Sequence, residues 1–203
     1  MDRKVLFAGI GSLLIIALVT VGVLIFGKPA SYLGTTYVEP YPLASEFELA
    51  RDDGSVFKLS EMRGNIVLLF FGYTSCPDVC PTTLAELNQA LKNLGERDAN
   101  RVRVVFITVD PERDTPARTQ EYVNHFNPKF IGLSGGEDEL SKVWSDYGVF
   151  RETVEGASAV GYLVNHTARV TLIDGNGNLR ISFGFDMPVD DIVHDLKMVL
   201  KEN

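Results

Sequence analysis

Residues 65–95 have the sequence NIVLLFFGYTSCPDVCPTTLAELNQALKNLG, in which two structural patterns follow one another. Its first part is an uninterrupted apolar run of strand length, which is typical of a strand buried on both faces of a sheet. After Pro81, leucines recur at helical spacing until Gly95, and glycine commonly ends helices. The stretch therefore predicts a buried central strand, a turn that contains both cysteines of the chain, and an amphipathic helix.

Further periodic segments extend this unit into one domain. The predicted elements are a hairpin at 47–59, strands at 65–73 and 102–109, helices at 82–95, 115–126 and 137–148, a strand hairpin at 168–185 around the turn sequence GNGN, and a C-terminal helix at 188–203. Strands that alternate with helices and end in a hairpin predict an α/β fold with a mixed central sheet flanked by helices. Cysteines between the first central strand and its helix make this fold thioredoxin-like.

The N-terminal residues predict a single transmembrane helix. Residues 5–26, VLFAGIGSLLIIALVTVGVLIF, contain no charged side chain, and 22 residues in a helix span about 33 Å, close to the thickness of a bilayer's hydrocarbon layer. A cleaved signal peptide is the alternative, but the sequence FGKPAS that follows makes a poor cleavage site. We therefore divide the chain into an anchor at 1–27, a linker at 28–45 and a thioredoxin-like domain at 46–203.

The distribution of basic residues around this segment predicts its orientation. Arg3 and Lys4 precede the apolar run, whereas only Lys28 closely follows it, so the N-terminus is expected in the cytoplasm and the domain outside it. Four residues before the span are too few for a mitochondrial transit peptide. We expect a single-pass protein of a bacterial inner, or cytoplasmic, membrane.

The net charge argues against a role in nucleic-acid binding. The charged residues before Lys28 are Asp2, Arg3 and Lys4. Residues 28–203 therefore contain 17 basic and 26 acidic side chains, a net charge of −9. Binding to a polyanion requires a basic surface, which this composition does not provide.

Cys76 and Cys80 have three residues between them, a spacing that leaves three functions open. If the turn is helical, the two Cα atoms lie about 6 Å apart, which permits a disulfide, a redox couple or a two-thiolate metal site. A position at a helix N-terminus lowers the pKa of a thiol and favours a reactive thiolate. Thioredoxin-type oxidoreductases have two residues between their cysteines, so the longer spacing points away from plain disulfide exchange.

Three histidines are available as further ligands. Soft thiolates favour Cu(I), with an imidazole as a suitable third ligand, whereas a closed structural zinc site needs four protein ligands. We interpret His125 and His194 as surface side chains of two helices. His166 lies in a predicted loop just before a strand, and in thioredoxin-like folds that loop faces the cysteine turn.

Three segments in this order, FFGYTSCPDVCPTTL, TVDPERDTP and YLVNHTARVTLID, closely resemble the Sco (SenC/PrrC) proteins over about residues 43–202. The resemblance implies a membrane-tethered thioredoxin-like domain that binds copper through Cys76, Cys80 and His166. It differs at Asn165, where the family often has Asp, so a carboxylate that would orient the imidazole and help to hold Cu(II) is missing. We assign no metal to Asp110 of the second segment.

The resemblance also implies a function in assembly of cytochrome c oxidase. We expect a copper metallochaperone rather than an enzyme, one that takes Cu(I) from a copper donor protein and delivers it to the CuA centre of oxidase subunit II, with Cu(II) left open. A thiol–disulfide reductase that keeps the CuA-site cysteines reduced is the alternative, and a redox or copper sensor would use the same residues.

The predicted topology can be tested with a reporter enzyme that is active only outside the cytoplasm. Fused after Asn203, it is expected to be active, because the basic residues before the apolar run retain the N-terminus inside. The fusion protein should also remain in the membrane fraction. Release of a shorter soluble form would instead identify the apolar run as a cleaved signal peptide.

Overall fold

The computed structural model describes residues 16, 20, 31–158 and 161–202. The chain divides into two compact units, Met1–Ser31 and Tyr32–Asn203, and the elements below belong to the second. The strands are β1 (Thr35–Thr36), β2 (Glu48–Ala50), β3 (Val56–Lys58), β4 (Ile66–Gly72), β5 (Val102–Thr108), β6 (Ile131–Leu133), β7 (Arg151–Ser158), β8 (Gly161–His166), β9 (Arg169–Ile173) and β10 (Leu179–Gly184). The helices are α1 (Val79–Leu94), α2 (Glu96–Ala99), α3 (Pro116–Asn124), α4 (Glu137–Asp146) and α5 (Val189–Glu202), with a 3₁₀ turn at Leu59–Met62.

Six strands form the central sheet in the order β1-β10-β9-β4-β5-β6. Strands β4, β5 and β6 are parallel, and helices α1 and α3 make the connections between them. On the other side of β4, strands β9, β10 and β1 each run antiparallel to their neighbour. The mixed α/β architecture predicted from the sequence is therefore confirmed.

Strand β4 forms the centre of the core, and all seven of its residues are buried. Because side chains alternate along a strand, Phe70 and Phe71 point to opposite faces of the sheet. The ring of Phe70 lies 5.7 Å from that of Phe106 on β5, and the ring of Phe71 lies 5.7 Å from that of Tyr147 after α4. Packing on both faces fixes the carboxyl end of β4, where the cysteine segment begins.

Helix α1 begins at Val79, three residues earlier than predicted, and ends at Leu94, before Gly95, whose φ of 82° stops it as expected. Cys80 therefore lies in the first turn, whereas Cys76 lies outside the helix. A residue that precedes proline is disfavoured in helical conformation, so Pro77 keeps Cys76 in the connecting turn. The residues from Cys76 to Cys80 therefore do not form the single helical turn on which the separation of about 6 Å was conditional.

The sequence patterns did not predict the hairpin formed by β7 and β8, which is a two-stranded sheet of its own. His166 is the last residue of β8 and not part of a loop, although β9 begins only three residues later. Gly156 and Gly161 interrupt the apolar alternation that would have indicated two strands.

The segment predicted as a linker at 28–45 is attached to the domain from Tyr32 onward. The backbone N–H groups of Leu33 and Gly34 donate hydrogen bonds of 2.8–3.1 Å to the carboxylate of Asp195 on α5. Strand β1 then pairs with β10. Asp195 is fully buried, and a buried carboxylate requires such donors.

Within the described ranges, no helix is both long and apolar enough to cross a membrane. The span predicted at 5–26 lies, apart from Ile16 and Thr20, outside those ranges, and it remains a prediction.

Candidate metal centre

The two cysteines lie at the carboxyl end of β4. The backbone N–H of Cys76 donates to the carbonyl of Tyr73 at 3.2 Å, which closes a turn directly after the strand. The sulfur of Cys76 accepts the backbone N–H of Cys80 at 3.4 Å. Cys76 is half-buried and Cys80 is fully buried, and neither forms a disulfide.

Gly72 permits the close approach of Cys80 to the sheet. A Cβ atom at position 72 would lie 2.9 Å from the sulfur of Cys80 and 2.7 Å from the ring of Phe106. Real Cβ contacts are not this short, so a side chain here would displace the buried sulfur. The site therefore requires glycine at position 72, in the FFGYTSC segment, so that the sulfur of Cys80 can pack against β4.

His166 reaches the same place from the end of β8. Its Nε2 atom lies 3.6 Å from the sulfur of Cys80. Its Nδ1 atom lies 3.1 Å from the carbonyl oxygen of Thr167, which can only accept, so Nδ1 carries a proton and Nε2 is the ring nitrogen that faces the sulfur. The ring of Tyr73 packs edge-on against the imidazole, with 5.8 Å between centroids.

The three predicted ligands are thus neighbours, whereas the other two histidines are elsewhere. His125 is exposed at the end of α3, and His194 lies beside Asp195 on α5, with 3.0 Å between Nδ1 and the carboxylate. Among the described residues, no group of three His, Cys, Asp or Glu side chains is already arranged to hold a metal ion. The two thiols and the imidazole are close together without yet adopting a coordination geometry.

The two thiols differ strongly in acidity. The pKa of Cys76 is lowered to about 4, chiefly by the hydrogen bond from the Cys80 thiol and further by His166 and nearby backbone N–H groups, which together outweigh its burial. The pKa of Cys80 is raised well above its usual value, chiefly because the Cys80 thiol donates a hydrogen bond to Cys76. Burial of Cys80 and repulsion by the negative charge of Cys76 raise this pKa further. At neutral pH, Cys76 is therefore the thiolate and Cys80 the thiol.

A groove of about 220 Å³ opens beside these residues. It is lined by residues of the cysteine turn and of the β8–β9 segment, namely Tyr73, Cys76, Pro77, Asp78, Val79, Leu163, Val164, Asn165, His166 and Ala168. A larger cavity of about 770 Å³ lies between the end of α1 and the start of β5 and includes neither cysteine nor His166. Because the thiolate of Cys76 and the imidazole line the smaller groove, we take that groove as the candidate site.

The SCO1/SenC family model matches residues 35–201. The chain belongs to this family. A SCO2-like protein of Rickettsia felis is 37% identical over 171 residues, which are 84% of this chain and 83% of the relative.

Solved structures of Sco proteins agree with the fold. ScoI of Bradyrhizobium japonicum, determined with copper bound, has a TM-score of 0.69 and 38% identity, and the match covers 77% of this chain and 99% of that one. Apo Sco1 of Thermus thermophilus has a TM-score of 0.74 and 37% identity, with 83% and 96% of the two chains covered.

In this Sco chain, Asp114 attaches the cysteine turn to the sheet. Its fully buried carboxylate accepts the backbone N–H of Thr74 at 2.9 Å, the Thr74 hydroxyl at 2.6 Å and the Thr108 hydroxyl at 2.7 Å. The sequence patterns indicated only a helix that starts at Thr115 and Pro116 here, and the structure has Thr115 as the capping residue and Pro116 as the first residue of α3. One signal in the sequence could have identified Asp114 as a residue of the site. The DPERD segment places carboxylates directly after a buried strand.

Asp110, to which no metal was assigned, is buried and has protein partners for both oxygens. One oxygen pairs with the guanidinium of Arg113, and the other accepts the hydroxyl of Tyr162 on β8 at 2.7 Å. Asn165 is exposed, and the ring of His166 is oriented by the Thr167 carbonyl, not by a neighbouring carboxylate. The hydrogen bond to the ring nitrogen Nδ1 is thus made by a backbone oxygen.

The acidity difference predicts which thiol reacts. Iodoacetamide should label Cys76 first, at a rate that changes little between about pH 6 and pH 8, whereas an ordinary thiol reacts about tenfold faster per pH unit in this range. Cys80→Ala removes the main hydrogen bond that lowers the pKa of Cys76, so it should restore pH dependence. Mass spectrometry of the labelled chain measures both. A steep pH dependence in the unsubstituted protein would contradict the assignment.

Proposed function

We propose that this chain is a copper metallochaperone for cytochrome c oxidase that carries Cu(I) on Cys76, Cys80 and His166. The observation that carries the proposal is the 3.6 Å separation between the sulfur of Cys80 and Nε2 of His166, at a turn that also holds Cys76. Two soft sulfur ligands and one imidazole suit Cu(I). The Nε2 lone pair is available for coordination because Nδ1 donates to the Thr167 carbonyl.

The same arrangement suits a carrier rather than a permanent site. Three protein ligands at the edge of a groove leave room for a partner's sulfur to approach the ion. As a partner thiol binds Cu(I) it loses its proton, and the sulfur of Cys80 takes up a proton when it releases the ion. The raised pKa of Cys80 favours that return to the thiol form.

The relatives support this proposal. ScoI of Bradyrhizobium japonicum holds copper on a similar fold, and Sco proteins are described as cytochrome c oxidase assembly proteins. We propose that the recipient is the CuA centre of oxidase subunit II and that a separate copper donor protein loads the site. Cu(I) is the carried form, with Cu(II) as a second state.

A second function, thiol–disulfide exchange, is favoured by the low pKa of Cys76. Its thiolate can attack a disulfide of a partner, after which Cys80 displaces the partner's second sulfur as a thiol. The partner gains two electrons, one proton from Cys80 and one proton from water, and Cys76 and Cys80 become a disulfide. Such a reaction would keep the CuA-site cysteines reduced before copper arrives.

Both functions require the domain to meet oxidase outside the cytoplasm. We propose that the apolar run at 5–26 anchors the chain in the bacterial inner membrane, with the domain on the outer side. The uncharged sequence and the basic residues that precede it support this placement.

The first test is Cu(I) binding by the reduced full chain, measured by competition with a chromophoric chelator. One Cu(I) should bind, and Cys76→Ser, Cys80→Ser and His166→Ala should each weaken binding by at least about tenfold, because each removes a ligand. His125→Ala and His194→Ala are matched controls that should leave affinity unchanged. If either control behaves like His166→Ala, the choice of histidine is wrong.

The second test separates the two functions through His166. Disulfide exchange needs two thiols but no imidazole ligand, whereas metal transfer needs the complete site. We expect His166→Ala to lose oxidase maturation in cells at limiting copper, to regain part of it with excess copper, and still to reduce a model disulfide in vitro. Normal oxidase assembly by His166→Ala at limiting copper, together with failure of Cys80→Ser, would favour the reductase.

A further inference from the structure

The hairpin that carries His166 lies outside the central sheet. Within the described residues, β7 and β8 pair with each other and with no other strand. The cysteines, in contrast, follow a fully buried strand at the centre of the core. The distance between the imidazole and the sulfurs therefore depends on the contacts that hold the hairpin against the rest of the domain.

Arg113 provides such a contact close to His166. Its Nη1 donates to the backbone carbonyl of Tyr162 at 3.0 Å, and its guanidinium lies 3.7 Å from the centroid of the Tyr162 ring. It also lies 5.7 Å from the ring of Tyr73, whose other neighbour is the imidazole of His166. One side chain thus contacts both β8 and the aromatic ring against which His166 packs.

The position of Arg113 is itself fixed. Its Nε pairs with Asp110, whose second oxygen accepts the hydroxyl of Tyr162, and the same hydroxyl lies 3.2 Å from Glu112. Asp110, Arg113 and Tyr162 therefore form a closed ring of interactions. Only 18% of the Arg113 side chain and 1% of the Asp110 side chain are exposed, so water competes weakly for these contacts.

Arg113 is followed directly by Asp114, which binds the cysteine turn through Thr74. We propose that Arg113 is a positioning residue for His166: it fixes β8 relative to the loop that also holds the cysteines, and so keeps the imidazole within coordinating distance of the two sulfurs. This inference rests on the proposed copper site and adds a residue that acts on it without touching copper.

The role requires arginine and not merely a positive charge. The guanidinium donates in two directions while its flat face stacks on Tyr162, and a lysine ammonium cannot combine these contacts. Arg113→Lys should therefore resemble Arg113→Ala. Arg51 offers a matched control, because its guanidinium also lies over an aromatic ring, 5.0 Å from the centroid of Phe57, and belongs to the separate β2–β3 hairpin region.

The experiment measures Cu(I) affinity of the reduced full chain in two backgrounds. In the native background, Arg113→Ala and Arg113→Lys should each weaken binding by about tenfold, as is usual for residues that orient a ligand. In the His166→Ala background, the same substitutions should weaken it by less than about twofold, because no imidazole is left to position. Arg51→Ala should have no effect in either background. Tyr162→Phe, which removes one hydroxyl, is a milder variant. Its weakening of Cu(I) binding should likewise disappear in the His166→Ala background.

Amide hydrogen exchange of the copper-free full chain supplies an independent measurement. Arg113→Ala should speed exchange at 161–166 relative to the native chain, and Arg51→Ala should not. Equal losses of affinity with and without His166 would reveal a general structural role and overturn the proposal, as would unchanged affinity or unchanged exchange in Arg113→Ala. Failure of the native chain to bind Cu(I) would instead overturn the proposed function, and the exchange data would then decide whether Arg113 holds the hairpin.

Discussion

The rest of the site depends on the hydrogen bonds that the buried carboxylate of Asp114 accepts from the cysteine turn and from β5. Its oxygens accept three hydrogen bonds, two from Thr74 and one from Thr108, and none of its surface reaches solvent. Moving the cysteine turn would remove two of the three donors from this buried carboxylate, at a cost on the order of a few kcal/mol. The turn is therefore held to the end of β5 through Asp114 as well as to the end of β4 through the backbone.

One short loop thus controls both halves of the site. Asp114 fixes the segment with the cysteines, and Arg113, with Asp110, fixes the hairpin with the histidine. Because the loop follows the buried strand β5 and ends at the capped start of α3, it is itself rigidly placed at both ends. A metal carrier benefits from this arrangement, since ligands held near one another lose little conformational freedom on binding.

The sequence predicted those parts of the structure that have strong local periodicity. Local sequence alone predicts three of these elements: the buried strand β4 from its apolar run, helix α1 from its leucines, and the hairpin of β9 and β10 from its two strands and turn. The attachment of the segment after Tyr32 and the hydrogen bonds from Thr74 to Asp114 depend on contacts between residues far apart in the chain, the latter separated by 40 positions. Such contacts leave no periodic signal, so only the fold reveals them.

The longer cysteine spacing acquires a physical meaning once the helix start is known. Pro77 keeps Cys76 out of α1, and its sulfur instead accepts the N–H of Cys80 in the first helical turn. Asp78, the residue before the helix, makes no capping hydrogen bond with its side chain, so the sulfur of Cys76 supplies an acceptor that the helix start would otherwise lack. A helix N-terminus favours negative charge, and two thiolates with one Cu(I) have a net charge of −1. The extra residue thus places the thiolate of Cys76 where the helix N-terminus stabilises it, in the free chain and in the proposed Cu(I) complex alike.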